Sequence, residues 1–329
     1  MVVPMLGHVV SGPPSMESAR SLPFRMEVQL MATDSSPMAG RTLASSNRIH
    51  ACVARPSTGQ CDVPAGLGPV LAVSTSSFHT CAVRADGRLV CFGNRVYGQC
   101  DVPADLGPVL SVSVGEGHTC AVRTDGQLVC FGVNYDGQCN VPTDLGPVLA
   151  VSAGDAHTCA VRTDGHLVCF GLNFDGQCDV PADLGPTSSV SAGTYHTCAV
   201  RADGRLVCFG RNADGQCNVP ADLGPALAVS AGIVHTCTVR ADGQLVCFGR
   251  TADGQCDVPA DLGPVLAVSV CNFRTCALRV DGHLVCFGRN SKGECNVPQQ
   301  LGPVLAASAG KVHTCAVRTD GDLICFGVP

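Results

Sequence analysis

An all-β fold, a seven-bladed β-propeller of four-stranded blades, is the class this sequence predicts, and three observations predict it. Cysteines recur with a strict period of 39 residues, each period holds four short strand-like runs, and the two ends of the array add up to one blade. Cysteines of the "HTC" type are Cys81, Cys120, Cys159, Cys198, Cys237, Cys276 and Cys315, and those of the "CFG" type are Cys91, Cys130, Cys169, Cys208, Cys247, Cys286 and Cys325. A third set, in "GQC" or "GEC", stands at 61, 100, 139, 178, 217, 256 and 295. Seven units without an insertion mark repeats that bury their faces against their neighbours.

Within a unit the runs come in the order "VLAVS", "HTCAVR", "RLVCFG" and "QCDVP", rich in Val, Leu, Cys and Phe and separated by Gly, Asp, Asn and Pro. These are strand and turn signals, with no helix-length periodicity in the array. An open solenoid or stack is the alternative, and it would expose both end units. The ends favour a ring. The first unit opens at the fourth run, Gly59 to Pro64, and the last stops after the third, Leu323 to Gly327, so the N- and C-terminal strands can pair to close it. "IHACVAR", residues 49–55, resembles a second strand whose third is missing. Residues 1–48 hold all six methionines and no cysteine, and read as a flexible tail before a propeller domain over 49–329.

The second and third runs form a hairpin whose register follows from its turn. A three-residue loop such as Ala85-Asp86-Gly87, with glycine in the left-handed conformation, pairs Arg84 with Arg88 and hence Cys81 with Cys91. The cysteines then form a non-hydrogen-bonded pair with Cα atoms about 4.5 Å apart, inside disulfide range. The geometry permits seven cross-strand bridges. Pairing would leave nine cysteines over, and a secreted disulfide framework rarely leaves so many, so reduced thiols are favoured. The histidines two residues before the "HTC" cysteines lack the convergent ligand sets of zinc sites and read as hydrogen-bonded framework, with no metal or cofactor expected.

Composition excludes several function classes. Net charge is −6 and the only lysines are Lys292 and Lys311, so there is no basic stripe and no nucleic-acid partner is expected. No apolar stretch approaches the roughly 20 residues of a spanning helix, so no membrane is expected either. The N-terminus has no basic leader and its apolar run is broken by Pro4, Gly7 and His8, which points to a cytoplasmic protein, with nuclear or secreted placement as the alternatives. No nucleophile-elbow, Walker or metalloprotease motif occurs, and no enzyme is expected.

The pattern "VSAG", "HTCAVR", "DG", "LVCFG", "N" and "DGQC" resembles the repeat of the regulator of chromosome condensation family over about residues 49–329. The paired cysteines and the period are similar to repeats in the ectodomains of crinkly-type plant receptor kinases. The resemblance implies a seven-bladed propeller. The chain departs from the family pattern with Phe92 and its equivalents in place of a tryptophan, and with "GQCD" or "GQCN" in place of Gln-Leu-Gly.

The repeats act as their own control. Two windows vary, the residues before "HTC" and those after "CFG", and alternating strand direction puts both on one rim. Six aromatics fall there, Phe78, Tyr97, Tyr135, Phe174, Tyr195 and Phe273, with charges of both signs that include Arg95, Glu116, Asp155, Arg211, Arg250, Lys292 and Lys311. Aromatics on loops of a rigid scaffold are anchors for protein recognition, so the expected function is a monomeric, non-catalytic protein-binding scaffold using this rim. The resemblance supplies two alternatives: guanine-nucleotide exchange on a small GTPase, and the substrate-recognition part of a larger ubiquitin ligase.

Overall fold

The computed structural model describes residues 59–327 apart from Lys292. The expected tail over 1–48, the partial repeat at 49–55 and Lys292 lie outside the described residues. What is described is all-β and consists of seven antiparallel sheets of three strands each, every sheet made by one repeat. The first strands are Val70–Thr75, Val109–Val114, Val148–Ala153, Thr187–Ala192, Ala226–Ala231, Val265–Cys271 and Val304–Ala309. The second strands begin at His79, His118, His157, His196, His235, Arg274 and His313, and the third run from Leu89–Gly93 to Leu323–Gly327.

The fourth strand expected in each sheet does not form. "QCDVP" is tied into turns, as where Asp101 N donates to Gly98 O and Val102 N to Cys100 O, each at 3.0 Å, and proline then interrupts any ladder. The terminal strands therefore do not pair with one another as expected. The segment instead carries a leucine, Leu106 in the first link, into the core between two units.

The hairpins follow the turn. Gly87 has φ +81°, Arg84 N donates to Arg88 O at 2.9 Å, and Cys81 faces Cys91. All seven facing pairs are bonded, with Cα atoms 4.0 to 4.1 Å apart. The reduced state favoured from sequence is thus corrected: the non-hydrogen-bonded register brings the sulfurs together in every unit. The first strands depart from simple alternation, because each bulges at its second residue, as between Val70 and Ala72. The bulge turns Leu71, Leu149 and Leu227 outward, each about half exposed (49%, 50% and 51%).

No sheet has a core of its own. Seven apolar clusters each draw on two consecutive units; one joins Val83, Leu89 and Cys91 to Val109, Val112 and Ala121. Another joins the seventh unit, through Ala306, Val317 and Leu323, to Val70, Val73 and Phe92 of the first. Polar groups follow the same rule. The backbone N–H of Val114 donates to Ser74 Oγ of the preceding unit at 3.1 Å, and this bond recurs at every junction, including Thr75 N to Ser308 Oγ at 3.1 Å. His79 Nε2 lies 2.8 Å from Thr119 Oγ1 of the next unit, and Thr119 donates in turn to Gln99 O. Four further histidines repeat the contact, and His313 makes it with Thr75 and Thr80 of the first unit. In the sixth unit Arg274 takes the histidine's place and donates to the carbonyls of Glu294, Gly310 and His313.

Burial holds all six histidines neutral, pushing them down to about 3 or 4 from an ordinary value of 6.5. An unfolded chain takes up protons on these side chains below pH 6.5, whereas the folded one does not until about pH 4. Their contribution is therefore complete above pH 6.5 and is lost as pH falls, at up to about 1.4 kcal/mol per pH unit for each histidine. Asp155, pushed up to about 6 chiefly by burial and then by the Glu116 charge, works in the opposite sense and offsets about one of the six. The urea midpoint should fall steeply from pH 6.5 to 4, and His157→Gln should lower that slope by about one proton. A flat midpoint across this interval contradicts the buried, neutral histidines.

Candidate functional site

The loops between first and second strands converge. Residues of all seven, including Ser77, Glu116, Asp155, Thr194, Ile233, Asn272 and Lys311, line one depression of about 100 Å³. Behind it the first strands line a second space of about 110 Å³ with Ala, Val and Ser side chains. Both are smaller than the roughly 300 Å³ at which ligand pockets begin, so this end of the molecule offers a surface rather than a small-molecule pocket. Within the depression Lys311 Nζ pairs with Glu116 Oε1 at 2.7 Å across units seven and two, and Ser77 Oγ donates to Glu116 Oε2 at 2.9 Å. Glu116, Asp155 and Lys311, singled out from sequence as unrelated rim charges, are thus brought into one half-buried cluster.

The loops after the third strands lie at the same end. Asn94 N donates to Phe78 O at 2.8 Å, and Arg211 stands over the Tyr195 ring at 5.3 Å, each contact joining one variable window to the other. The glycine that ends the third strand permits this approach: a Cβ on Gly93 would meet Phe78 O at 2.5 Å and His79 Cα at 2.8 Å. Each loop rests on a constant base. Gln99 Oε1 accepts from Tyr97 N at 3.0 Å and Cys100 Sγ donates to Asn94 O at 3.2 Å; the same two bonds recur at Gln138 and Cys139 and in the three following units. The third cysteine set, unexplained by sequence, is therefore a set of hydrogen-bond donors that hold the loop bases. Burial pushes five of these thiols, Cys100, Cys139, Cys178, Cys217 and Cys256, up to about 11.

On this base the variable side chains point differently around the rim. Val96, Tyr135 and Phe174 occupy one repeat position in units one to three and are 77%, 84% and 92% exposed. Tyr97 packs edge-on against Tyr135, ring centroids 6.5 Å apart, while Phe78, in the first window, and Arg95, in the second, are both exposed. Tyr195 and Phe273 are only half exposed: Arg211 covers the first, and Arg250 and Arg289 flank the second at 5.9 and 4.5 Å. Of the charges expected here, Lys292 alone lies outside the described residues.

Comparison with known proteins fits this architecture. The regulator of chromosome condensation (RCC1) repeat matches residues 70–99, 109–138, 148–177 and 188–216. The chain carries RCC1 repeats. No curated protein matches the sequence significantly. Among solved structures, the ectodomain of the receptor kinase CR4 from Physcomitrella patens matches at 25% identity with a TM-score of 0.67, over 79% of this chain and 74% of that one. The ectodomain of the receptor kinase ACR4 from Arabidopsis thaliana matches at 24% identity and 0.64, over 79% and 98%. Prp20p from Saccharomyces cerevisiae, described with its binding properties to Gsp1p and histones, matches at 14% and 0.63, over 79% and 82%. The molecule is an RCC1-repeat β-propeller.

The cytoplasmic placement expected from the N-terminus does not stand. Seven disulfides belong to an oxidising compartment, and the receptor-kinase structure at 25% identity is an ectodomain. The composition of the first residues is a weaker constraint on compartment than seven bonded sulfur pairs. Peptide mapping without reductant should recover Cys81 linked to Cys91 and the six equivalent pairs. At pH 8 a thiol with a pKa of about 11 is thiolate in about one molecule per thousand, so Cys139 and Cys178 should alkylate slowly until denaturant is added. Free Cys81 and Cys91, or rapid native labelling of Cys139, contradicts these assignments.

Proposed function

We propose that this RCC1-repeat propeller is a non-catalytic, extracellular protein-binding scaffold, and that its partner docks on the rim that carries both variable windows. The observation that carries the reading is the row of Val96, Tyr135 and Phe174, large apolar side chains more than three-quarters exposed on loops with a fixed base. Leaving such side chains in water gains a folded monomer nothing, whereas burial of one against a partner is worth about 1.5 to 3 kcal/mol. The bases are rigid, so little ordering entropy opposes docking.

The reading includes a closed ring of seven units. Its support is the junction of the seventh unit with the first, where Thr75 N and the shared apolar cluster repeat the contacts of the other six junctions and His313 repeats the histidine contact of five of them. Pairing of the terminal strands is not part of it. Closure matters to the site because Glu116 and Lys311 meet only across this arrangement. The exchange alternative has no observation of its own, since likeness to Prp20p at 14% identity carries the fold alone.

Affinity capture from extracellular fluid and membrane extract tests the rim. Tyr135→Ala with Phe174→Ala should lower recovery of a partner at least about tenfold, while Leu149→Ala with Leu227→Ala, at the bulges of the first strands, should leave it unchanged. Equal recovery by both double variants overturns the rim as the docking surface. Nucleotide release from a small GTPase, accelerated by the protein, would replace this reading with the exchange one.

A further inference from the structure

The rim is not uniform, and its two halves differ in chemistry at the same repeat positions. In the loop after "CFG" two places, the first and the third residue after that glycine, switch together between the third unit and the fourth. The place occupied by Val96, Tyr135 and Phe174 becomes Ala213, Ala252 and Ser291. The place occupied by Asn94, Val133 and Leu172 becomes Arg211, Arg250 and Arg289. One arc of the rim is therefore apolar and aromatic, and the arc that follows it carries three arginines in successive units.

The arginines are held. Arg211 lies over Tyr195 at 5.3 Å, and Arg250 and Arg289 share Phe273 at 5.9 and 4.5 Å. Such contacts fix the guanidinium by its face and leave the N–H edge for a planar acceptor. Among the described residues only Arg289 of the three is ion-paired, through Nε to Asp253 at 3.2 Å, which leaves its two terminal nitrogens uncommitted by that bond. All three side chains are exposed. The small Ala213, Ala252 and Ser291 beside them keep the approach open, where a Tyr or Phe at the same place would cover it.

We propose that the ligand of this rim is an acidic polypeptide segment: its carboxylates meet the arc of Arg211, Arg250 and Arg289, and its aromatic or aliphatic side chains lie on the arc of Tyr97, Tyr135 and Phe174. The inference rests on the rim being the docking surface and adds the partner's chemistry. Carboxylate is the planar, two-oxygen acceptor that a guanidinium edge fits, and charge-assisted bonds of this kind are about twice as strong as neutral ones. The chain's net charge of −6 opposes an acidic ligand, but only at long range. At physiological ionic strength the field beyond about 8 Å is screened, so an incoming acidic segment responds to the nearest arginines.

Selection of a random displayed peptide library on the intact protein tests this. Enriched peptides should combine two or more Asp or Glu with an aromatic or aliphatic neighbour. A synthetic peptide of the most enriched sequence should lose at least about tenfold in affinity for the Arg211→Ala, Arg250→Ala double variant, and part of it for the corresponding Lys variant, which keeps charge without the fork. The urea midpoint, which these exposed substitutions should not move, separates lost binding from lost folding. Asp and Glu changed to Asn and Gln in the peptide should cost a comparable factor. Enriched peptides without acidic residues that depend on Tyr135 and Phe174 overturn the acidic partner and leave the rim standing. Binders indifferent to both arcs, or no enrichment, overturn both.

Discussion

The constraint on which the rest depends is that no repeat can satisfy its own interior. Each sheet buries a histidine, a threonine and one apolar face, and their partners lie in the neighbouring units: His157 needs Thr197 of the next unit, Thr197 needs Gln177 O of the link before it, and Val190 needs the cluster shared with the third unit. A single neutral hydrogen bond contributes only about 1 kcal/mol, but a buried group left without its partner costs more than the bond contributes. Framework residues are therefore fixed in every unit at once, since a change in one leaves an orphan in its neighbour. Arg274 is the instructive exception. It fills the place of a histidine only because its longer side chain reaches three carbonyls, two of them in the seventh unit.

The same constraint explains where the chain can vary. The loops between first and second strands and those after the third strands meet water on one side, and the bases of the latter are held by Gln99, Cys100 and their equivalents rather than by the variable residues. Sequence change in these windows alters what is displayed without altering how it is held. That separation is what a recognition surface requires: large side chains such as Phe174 are presented at little conformational cost, and the neighbouring depression is bridged by the Glu116–Lys311 pair.

Much of this was legible in the sequence, for identifiable reasons. The turn "ADG" specifies its own register, because only glycine takes the left-handed place cheaply, and so Cys81 opposite Cys91 followed without knowledge of the fold. Strand parity put both windows at one end. The misses have physical causes too. "QCDVP" has strand composition, but its backbone groups are spent on turns, and proline removes a donor. Leu71 reads as one residue of an alternating strand, but a bulge at that residue shifts the parity of everything before it, and nothing local in "VLAVS" announces one. The redox state depends on compartment, which the repeat does not encode. The pairing of Arg211 with Tyr195 and of Arg289 with Phe273 joins residues about 16 apart in sequence, and only the close approach of the loops at glycine makes it.

The junction between the seventh unit and the first tests the account most directly, because it is the one made without chain continuity. Native-state hydrogen exchange of the Thr75 amide, which donates to Ser308 Oγ, can be set against the equivalent amides of Val114, Ala153, Ala192, Ala231, Val270 and Ala309. If the seven junctions are equivalent, Thr75 exchanges only through global unfolding, with the protection of the other six and the same denaturant dependence. Exchange of Thr75 through a smaller opening that leaves the other six protected would show that the seam is weaker than the rest, and would contradict a ring held equally at every junction.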